Sequence, residues 1–257
     1  MPLRYDTDGS IAYLTFDRPE AHNAVDPEMM REFEERIFEF DSDASLAVAI
    51  ITGAGDKAFC AGADLRETTP RVVSQEIEST PTRRVLTLKG VEIWKPIIAA
   101  VNGYCLGGGT ELLLGTDIRV AADHATFGLP EVRWGLTARG GGTVRLLRQV
   151  PHAVAMEMLL TGERIGAARA YEIGLVNKVV PLAELMPAAE AYAHRIRENG
   201  PLSLRAIKES SHRIDGMPLV TAYEIDFELT KGVFSSEDAQ EGPRAFMEKR
   251  MPRFRGV

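Results

Sequence analysis

The pattern of apolar and polar positions predicts strands at regular intervals along the first two thirds of the chain. Residues 11–16 alternate between two faces, and the Asp8-Gly9 dipeptide before them is a strong turn signal. An opening β-hairpin that starts at Leu3 is therefore predicted. Further apolar runs of strand length lie at 47–52, 97–101, 118–121, 125–127 and 176–180.

Apolar residues at helical spacing predict the helices. Asp26 is a favourable N-cap, and Pro27 suits the first helical position after it. The apolar stripe of that first helix is predicted to consist of Met30, Phe33, Ile37 and Phe40. Further helices are predicted at 84–94, 110–114, 153–160, 167–173, 182–198, 202–214, 219–231 and 236–250. Residues 53–60 are predicted to be a loop, and the polar residues 67–82 the most mobile segment.

Strands and helices alternate through residue 199, which is typical of an α/β fold with mostly parallel strands. Asn199-Gly200-Pro201 is a clear break, and residues 200–257 read as nearly all helical. This tail is either a cap on the core or an oligomerisation element. The stripe predicted to mediate assembly is Leu219, Ala222, Ile225 and Leu229.

Composition narrows the class of protein. The chain has 257 residues, 45% of them hydrophobic, and a net charge of −7, which disfavours a nucleic-acid surface. The first ten residues have no apolar signal core, and no run approaches the ~18 residues of a membrane span. A cytoplasmic protein that does not enter a membrane is predicted. Cys60 and Cys105 lie in apolar settings and are predicted to be buried free thiols.

Residues 96–117 carry the strongest candidate chemistry. An apolar strand leads into Gly107-Gly108-Gly109, and a helix follows with Glu111 in its first turn. Such a turn aims unpaired backbone N–H groups at one point, where negative charge is stabilised. Glycines before a helix also serve close packing alone, and a first-turn Glu is a common capping residue.

Several familiar sites are absent from the sequence. The position that would complete a dinucleotide-binding glycine pattern after Gly107 and Gly109 is Leu112, and no Walker loop or nucleophile elbow is present. The five histidines have no metal-ligand spacing, so no metal is expected. Two backbone corners remain, at 61–64 and 107–109, together with Glu111 and Glu131. An N–H pair and two carboxylates suit proton chemistry α and β to a carbonyl.

At this point the sequence resembles a known family. KAFCAGADLRE (57–67), AAVNGYCLGGGTELLLGTD (99–117) and FGLPEVRWGL (127–136) agree in order and spacing with the enoyl-CoA hydratase/isomerase, or crotonase, superfamily. DRPEAHNAVD (17–26) resembles its first coenzyme A loop, and EGPRAFMEKRMPRF (241–254) resembles its C-terminal helix. The resemblance covers essentially the whole chain.

The resemblance implies a fold and an assembly. The fold would be a crotonase-like α/β spiral of ββα units, with a core at 1–199 that holds the acyl-CoA site. A helical C-terminal segment at 200–257 would pack between subunits of a homotrimer or a dimer of trimers. The substrate would be an acyl-CoA thioester of the kind met in fatty acid metabolism. Coenzyme A would then be part of the substrate, and no separate cofactor is expected.

The resemblance also assigns residues by motif position. The backbone N–H groups of Ala63 and Gly108 would form an oxyanion hole, and Glu111 and Glu131 would hold a water and deliver its hydroxyl and proton. Coenzyme A would lie along Ala21, His22, Ala24, Ala61, Asp64 and Leu65. Phe246 and Lys249 would reach a neighbouring subunit's ligand. Lys57 and Arg66 are either phosphate partners or ordinary solvated charges, and the residues predicted to keep the pocket dry are Leu106, Leu112, Trp134 and Leu136.

This chain departs from the family at two places. Thr137-Ala138-Arg139 stands where a Pro-Gly loop is common, and His22 where an aliphatic residue is common. Arg139 either points to solvent, pairs with an acidic residue such as Asp64, or meets a polar acyl tail. Within the glycine run, Gly108→Val is expected to block the site, and Gly109→Ala is expected to be tolerated.

Three functions stay open on the sequence. The first is hydration of an enoyl-CoA. The second is double-bond isomerisation, or dehydration of a polar acyl-CoA such as carnitinyl-CoA. The third is a catalytically silent member that binds acyl-CoA or RNA. Retention of both glutamates favours the first, and the acidic charge counts against the third. Acyl chain length, stereochemistry and pathway are left undetermined.

Overall fold

A computed structural model describes residues 1–74 and 85–257 of the chain. Residues 75–82 of the predicted mobile segment, and the first residue of the helix predicted at 84–94, lie outside the described residues. In the described ranges the strands are β1 (Leu3–Asp8), β2 (Ile11–Phe16), β3 (Val48–Gly53), β4 (Ala58–Cys60), β5 (Ile97–Val101), β6 (Tyr104–Leu106), β7 (Ile118–Ala122), β8 (Thr126–Gly128), β9 (Ile165–Gly166) and β10 (Lys178–Val180).

The helices begin and end close to their predicted limits for most of the chain. They are α1 (Pro27–Ser42), α2 (Thr68–Val73), α3 (Gly108–Leu113), α4 (Gly142–Gln149), α5 (His152–Thr161), α6 (Ala167–Glu172), α7 (Leu185–Arg197), α8 (Pro201–Arg213), α9 (Leu219–Thr230) and α10 (Glu237–Met247). Short 3-10 turns lie at Pro19–Ala21, Val85–Thr87, Pro130–Trp134, Leu182–Glu184 and Val233–Ser235.

Two sheets organise the chain. The larger has the strand order β1-β2-β3-β5-β7-β10, and the smaller has the order β4-β6-β8-β9. β1 and β2 form the predicted antiparallel hairpin, with Asp8 paired to Ile11 across the turn, and the other strands of the larger sheet run parallel. The chain passes from β3 to β4 to α2, and again from β5 to β6 to α3. This repetition is the predicted spiral of ββα units.

The central strands β3, β5 and β7 of the larger sheet are buried on both faces, which explains their nearly continuous apolar residues. On one face, β2 and β3 pack with α1, and the rings of Phe16 and Phe33 stack 5.7 Å apart. On the other face, Ile50 and Ile98 pack against Ala189 of α7. The sheet therefore fixes the positions of the loops that follow its strands.

Some predicted elements are wrong. Residues 58–60 form β4 inside the predicted loop, and 104–106 form β6 directly after Asn102-Gly103, where the apolar run at 97–101 was predicted to end. Among residues 85–94 the predicted helix is reduced to Val85–Thr87, because Leu88 and Gly90 adopt positive φ angles of 53° and 62°. Asp26 caps α1 as predicted and accepts from the Met29 N–H at 2.8 Å.

The buried stripe of α1 differs from prediction at one position. Met29, and not Met30, is fully buried with Phe33, Ile37 and Phe40. Met30 lies at the edge of the same core and is half-buried. Both residues satisfy helical spacing with Phe33, so the sequence does not separate them.

The C-terminal helices attach to the core through a buried ion pair. Lys208 of α8 is 8% exposed, and its Nζ donates to Asp117 Oδ2 at 2.7 Å and to Lys95 O at 2.8 Å. Asp117 Oδ2 also accepts from the Ile97 N–H at the start of β5. The same carboxylate thus joins α8 to the strand that leads into the glycine turn.

The predicted apolar stripe of α9 is only partly exposed. Ala222 is buried, Ile225 and Leu229 are half-buried, and Leu219 is exposed, and the role of this stripe in assembly stays a prediction. Tyr223 and Phe227 are each 65% exposed on the outer face. The helix therefore presents an apolar surface that the predicted stripe did not include. Across the described ranges no helix has the length and apolar character to cross a membrane.

Candidate active site

The first backbone corner follows β4. Gly62 has a φ of +95°, which side chains disfavour, and its carbonyl accepts from the Val25 N–H at 2.8 Å. The Asp64 N–H in turn donates to Val25 O at 2.9 Å. Ala63 lies between these two bonds, so the direction of its N–H is set by its neighbours.

The second corner joins β6 to α3. Gly107 has φ +52° and ψ −123°, and its N–H donates to Gly128 O at 2.9 Å. Only glycine adopts such a conformation at low cost. Gly108 is the first residue of α3, so its N–H has no partner within the helix.

The two corners meet. A Cβ built on Gly62 would lie 3.1 Å from the Gly108 nitrogen. A Cβ built on Gly108 would lie 3.7 Å from the Ala63 nitrogen. The two N–H groups predicted as a pair therefore share one small region of space, as the stabilisation of a single developing oxyanion requires.

Gly109 is the most tightly enclosed residue of the turn. A Cβ there would lie 2.2 Å from Cys60 O, a backbone atom that cannot move aside. The expectation that Gly109→Ala is tolerated is therefore wrong. Glycine is required at two positions of the run for different physical reasons. Gly107 needs the backbone conformation, and Gly109 needs the close packing.

Glu111 lies in the first turn of α3, buried to 2% exposure. Its Oε1 accepts from the Gly142 N–H at 2.9 Å, at the start of α4. A Cβ on Gly140 would lie 2.4 Å from Glu111 Oε2. The second glycine run therefore lets the backbone enclose the carboxylate.

Glu131 reaches the same place from the 3-10 turn Pro130–Trp134. It is half-buried, and a Cβ on Gly107 would lie 3.2 Å from its Oε1. Glu131 thus lies beside the residue that precedes Gly108. The structure brings both predicted glutamates to the same glycine turn.

The segment that contains Ala21, His22 and Ala24 lies against the first corner. The Ala61 N–H donates to His22 O at 3.1 Å. His22 and Asn23 have positive φ angles of 53° and 55°, an uncommon conformation for side-chain-bearing residues.

A buried asparagine stabilises this loop. Asn23 Nδ2 donates to Ala58 O at 2.7 Å and to Ala54 O at 3.1 Å, and Asn23 Oδ1 accepts from the Arg18 N–H at 2.9 Å. Sequence reasoning missed Asn23 as a structural residue. Its preference for left-handed backbone conformations was the signal that could have identified it.

Arg18 joins the two carboxylates at this end of the site. Its Nη1 lies 3.2 Å from Asp26 Oδ2 and 3.3 Å from Asp64 Oδ2, and it donates to Ala24 O at 2.7 Å. The Arg66 N–H is the main cause that lowers the pKa of Asp64, and Arg18 lowers it further. Asp64 therefore pairs with Arg18, and the alternative pairing with Arg139 is wrong.

Arg139 is exposed, in agreement with the alternative that it points to solvent. Its carbonyl accepts from Lys89 Nζ at 3.0 Å. Leu65 and Arg66 are exposed directly after the first corner, and Lys57 is exposed before β4.

The predicted dry pocket is wrong in part. Trp134 is 65% exposed and Leu136 also lies at the surface, because the turn that carries Glu131 projects outward. Leu106 and Leu112 are buried, as predicted.

Phe246 and Lys249 lie in the tail, where Phe246 is 85% exposed and Lys249 has a φ of +58°. The prediction that they reach a neighbouring subunit's ligand concerns contacts between chains. It stays a prediction.

Two thiols lie beneath the corners. Cys60 and Cys105 are buried register partners in β4 and β6, and both are free, as predicted. Burial raises the pKa of Cys60 to about 12 and also raises that of Cys105. Both sulfurs are therefore neutral packing groups. In residues 1–74 and 85–257 no three His, Cys, Asp or Glu side chains are grouped so as to hold a metal ion.

Comparison with known proteins shows which of them share the sequence and fold of this chain. The family model for enoyl-CoA hydratase/isomerase matches residues 6–257. The chain is 44% identical over 249 residues to the enoyl-CoA hydratase EchA19 of Mycobacterium tuberculosis, covering 96% of this chain and 93% of that protein. It is 40% identical over 257 residues to the (E)-benzylidenesuccinyl-CoA hydratase of Thauera aromatica, with both chains covered completely.

A third relative and a solved structure extend the comparison. The carnitinyl-CoA dehydratase of Escherichia coli is 42% identical over 258 residues, covering 99% of this chain and 98% of that protein. The crystal structure of an enoyl-CoA hydratase from Bacillus anthracis superimposes with a TM-score of 0.93 at 34% identity, with both chains covered completely. The fold and the order of the motifs are thus shared over the whole chain.

Proposed function

The chain belongs to the enoyl-CoA hydratase/isomerase family, and from that membership we propose that it is an enoyl-CoA hydratase, which adds water across the α,β double bond of an enoyl-CoA thioester. The observation that carries the proposal is the convergence of Glu111 and Glu131 on the glycine turn that also presents the Gly108 N–H. A silent acyl-CoA-binding or RNA-binding member would have no use for two carboxylates at that point.

The thioester oxygen is proposed to accept hydrogen bonds from the N–H groups of Ala63 and Gly108. As hydroxide adds to the β carbon, negative charge moves onto that oxygen, and the two donors stabilise it. The loss of one such donor costs on the order of 3 kcal/mol in other enzymes.

Glu111 and Glu131 are proposed to hold the attacking water. Its oxygen bonds to the β carbon, one carboxylate takes the released proton, and the carboxylate pair delivers that proton to the α carbon. The sum is one water added across one double bond, with the carboxylates returned to their starting states. Acid–base assistance of this kind contributes ~10² to ~10⁴-fold.

The coenzyme A part of the substrate is proposed to lie along the first corner and the loop that packs on it, and no further cofactor enters the reaction. The residues assigned to this contact are Ala21, His22, Ala24, Ala61, Asp64 and Leu65. The support is their proximity: His22 bonds to Ala61, and Arg18 joins Ala24 to Asp64. Phe246 and Lys249 are proposed to contact coenzyme A held by a neighbouring subunit.

A homotrimer or a dimer of trimers is proposed as the assembly. Support comes from the C-terminal helices, which expose large apolar side chains on more than one element. Examples are Tyr223, Phe227, Phe234 and Phe246. A cytoplasmic location also stays a proposal, which rests on composition.

Dehydration of a polar 3-hydroxyacyl-CoA is the second candidate, since it is the same reaction in reverse. The similarity to a carnitinyl-CoA dehydratase and a benzylidenesuccinyl-CoA hydratase favours it. Arg139 is exposed in the loop that precedes Gly140, so its charge is proposed to favour a carboxylated acyl tail over a cationic one.

The experiment that tests both is a substrate panel. Short, long, branched, cationic and carboxylated enoyl-CoA thioesters are mixed with the purified protein, and loss of the enoyl-thioester absorbance is followed. Hydration that disappears in the variant carrying both Glu111→Gln and Glu131→Gln supports the proposal. Absence of turnover with every thioester, or turnover that survives in that variant, contradicts it.

A further inference from the structure

Arg145 lies in α4, one turn after the glycine run that encloses Glu111, and it joins three backbone segments. Its Nη1 donates to Thr87 O at 2.5 Å and lies 3.4 Å from Glu111 O, and its Nη2 donates to Leu88 O at 2.7 Å. The guanidinium therefore ties the turn at 85–88 to the helix that carries Glu111.

Thr87 extends this connection to the wall of the site. It is completely buried, and its Oγ1 donates to Gly140 O at 2.8 Å. Gly140 is the residue whose missing side chain makes room for Glu111 Oε2. Gly142, in the same helix as Arg145, donates its N–H to Glu111 Oε1. The backbone of Glu111 and two contacts of its carboxylate thus depend on one network.

The charge of Arg145 is also directed at Glu111. Burial lowers the pKa of Arg145, and the negative charge of Glu111 acts in the opposite direction. Because the interaction is mutual, the guanidinium stabilises the ionised form of the carboxylate. The carbonyl oxygens that accept from Arg145 carry no net charge, so they do not neutralise the positive charge that acts on Glu111.

Other titratable groups near this network do not duplicate it. Cys60 and Cys105 lie in strands packed against α3, and burial keeps their thiols neutral. Arg119 and His212 face Arg145 from β7 and α8, and burial lowers the pKa of each. Arg148, one turn further along α4, pairs with Asp215 at the surface. Glu131 approaches from the side of Gly107.

We propose that Arg145 is the positioning residue for Glu111: it fixes α3 against the turn at 85–88 and directs a positive charge at the carboxylate held between Gly140 and Gly142. Arg145 acts through Glu111 and is not assigned a contact with substrate. The inference rests on the proposed hydratase function, because it assigns a residue that sets the state of one of the two proposed catalytic groups.

The test compares Arg145→Met, Arg145→Lys and Thr87→Val with Arg148→Met as a control on the same helix. For each, kcat, KM and the pH dependence of kcat/KM are measured on the best enoyl-CoA from the panel, with Tm as a check on folding. Arg145→Met is expected to lower kcat by ~10 to ~10²-fold with KM within about threefold of wild type, because misplacement of a catalytic group affects the chemical step.

The pH profile separates positioning by charge from loss of structure. Without the cation of Arg145, the ionised form of the Glu111 carboxylate is less stable. The limb of the kcat/KM pH profile that Glu111 controls therefore moves to higher pH, and this direction is the same whether Glu111 acts as base or acid. Arg145→Lys keeps the charge and is expected to restore the wild-type limb with part of kcat. Thr87→Val removes the Gly140 contact without a change of charge, so kcat falls and the limb stays in place.

Failure of this inference is distinct from failure of the proposed function. If wild-type protein hydrates an enoyl-CoA while Arg145→Met matches Arg148→Met in kcat and pH profile, Arg145 has no positioning role. An Arg145→Met variant whose lower kcat tracks its unfolded fraction, with an unmoved limb, also overturns the proposal. Should Arg145→Met fail to fold, Arg145→Lys and Thr87→Val decide it, because two variants with wild-type kcat would contradict it. Absence of hydration in wild type is the result that contradicts the function itself.

Discussion

The glycine-lined centre and the C-terminal helices differ in the residues they use and in how far those residues are buried. At the centre, small residues let backbones approach closely, and Glu111 is buried against Gly140 and Gly142. In the tail, large apolar residues such as Tyr223 and Phe227 face outward, and few apolar side chains are buried. The residues at the centre enclose one another, whereas the tail exposes large apolar side chains.

The two regions differ in how tightly contacts within the chain constrain them. At Gly109 a single added Cβ would meet the backbone of Cys60, so the packing there admits no methyl group. The tail is held to the core at Lys208 and Asp117, and its outer face is constrained by no contact within the described part of this chain. Changes at the centre should therefore alter chemistry or folding, and changes in the tail should alter assembly.

The largest effect is expected from substitution of the two carboxylates at the centre. Glu111→Gln and Glu131→Gln are each expected to lower kcat by at least ~10²-fold, because a glutamine cannot exchange the proton. Folding should persist in Glu111→Gln, since the amide oxygen still accepts from the Gly142 N–H. Steady-state kinetics on the best substrate measure the effect.

The control for this pair is Glu163→Gln, at an exposed carboxylate that pairs weakly with Arg133. It removes the same charge outside the centre and should leave kcat unchanged. Near-normal hydration in both single variants at the centre would show that the glutamates do not carry the reaction.

Substitution of two adjacent glycines separates stability from activity within the centre. Gly109→Ala would place a methyl group against Cys60 O and is expected to cost about 3 kcal/mol of stability. Gly108→Ala meets only ordinary contacts, so it should fold normally, but its methyl group lies toward the Ala63 N–H. We expect ~10²-fold lower kcat/KM for Gly108→Ala.

Thermal unfolding and kinetics on the two glycine variants give the readout. If Gly109→Ala were as stable as Gly108→Ala, the close contact with Cys60 would not exist in solution. If Gly108→Ala kept full activity, the N–H pair would not be the oxyanion site.

Sequence reasoning predicted the sheet of the centre well, since apolar runs such as 97–101 match the strands they form. It missed β6 at 104–106 because an Asn-Gly pair looks like the end of structure, while here the chain only changes sheets. It could not identify Arg145 or Thr87, because their function depends on contacts between segments more than 30 residues apart. The same limit applied to Asp64, whose partner Arg18 lies 46 residues away.

In the tail, the helices were predicted but not their orientation. Both faces of α9 carry apolar residues, so periodicity alone does not say which face packs on α8. Burial decides it: Ala222 lies inward and Tyr223 outward.

The tail is tested by placing charge on its outer face. A variant with Tyr223→Glu and Phe227→Glu is expected to reduce the assembly to a monomer, because two carboxylates in an apolar interface lose hydration. The mass in solution, measured by light scattering, is the readout. Glu224→Lys, an exposed change on the same helix, serves as the control.

Assembly has a second consequence for the same variant. If Phe246 and Lys249 contact coenzyme A across subunits, the monomer should show a raised KM with little change in kcat. A variant that keeps the wild-type mass would show that this face of α9 is not the interface.

The smallest expected effect concerns a surface ion pair at the end of the chain. Glu241 accepts two hydrogen bonds from Arg250, at 2.6 and 2.9 Å, and one from the Arg253 N–H at 2.8 Å. The Arg250 side chain is the main cause that lowers the pKa of Glu241 to about 2, from an ordinary value of 4.5. A lowered pKa means that this contact stabilises the fold fully above pH 4.5 and loses its contribution as the pH falls toward 2.

Carboxyl NMR should place the Glu241 titration near 2 in wild type and closer to 4.5 in Arg250→Met. The change in Tm at neutral pH should be the smallest of the set, because an exposed pair is screened by solvent. A Glu241 titration that does not move in Arg250→Met would show that backbone donors such as the Arg253 N–H, and not the ion pair, hold the carboxylate ionised.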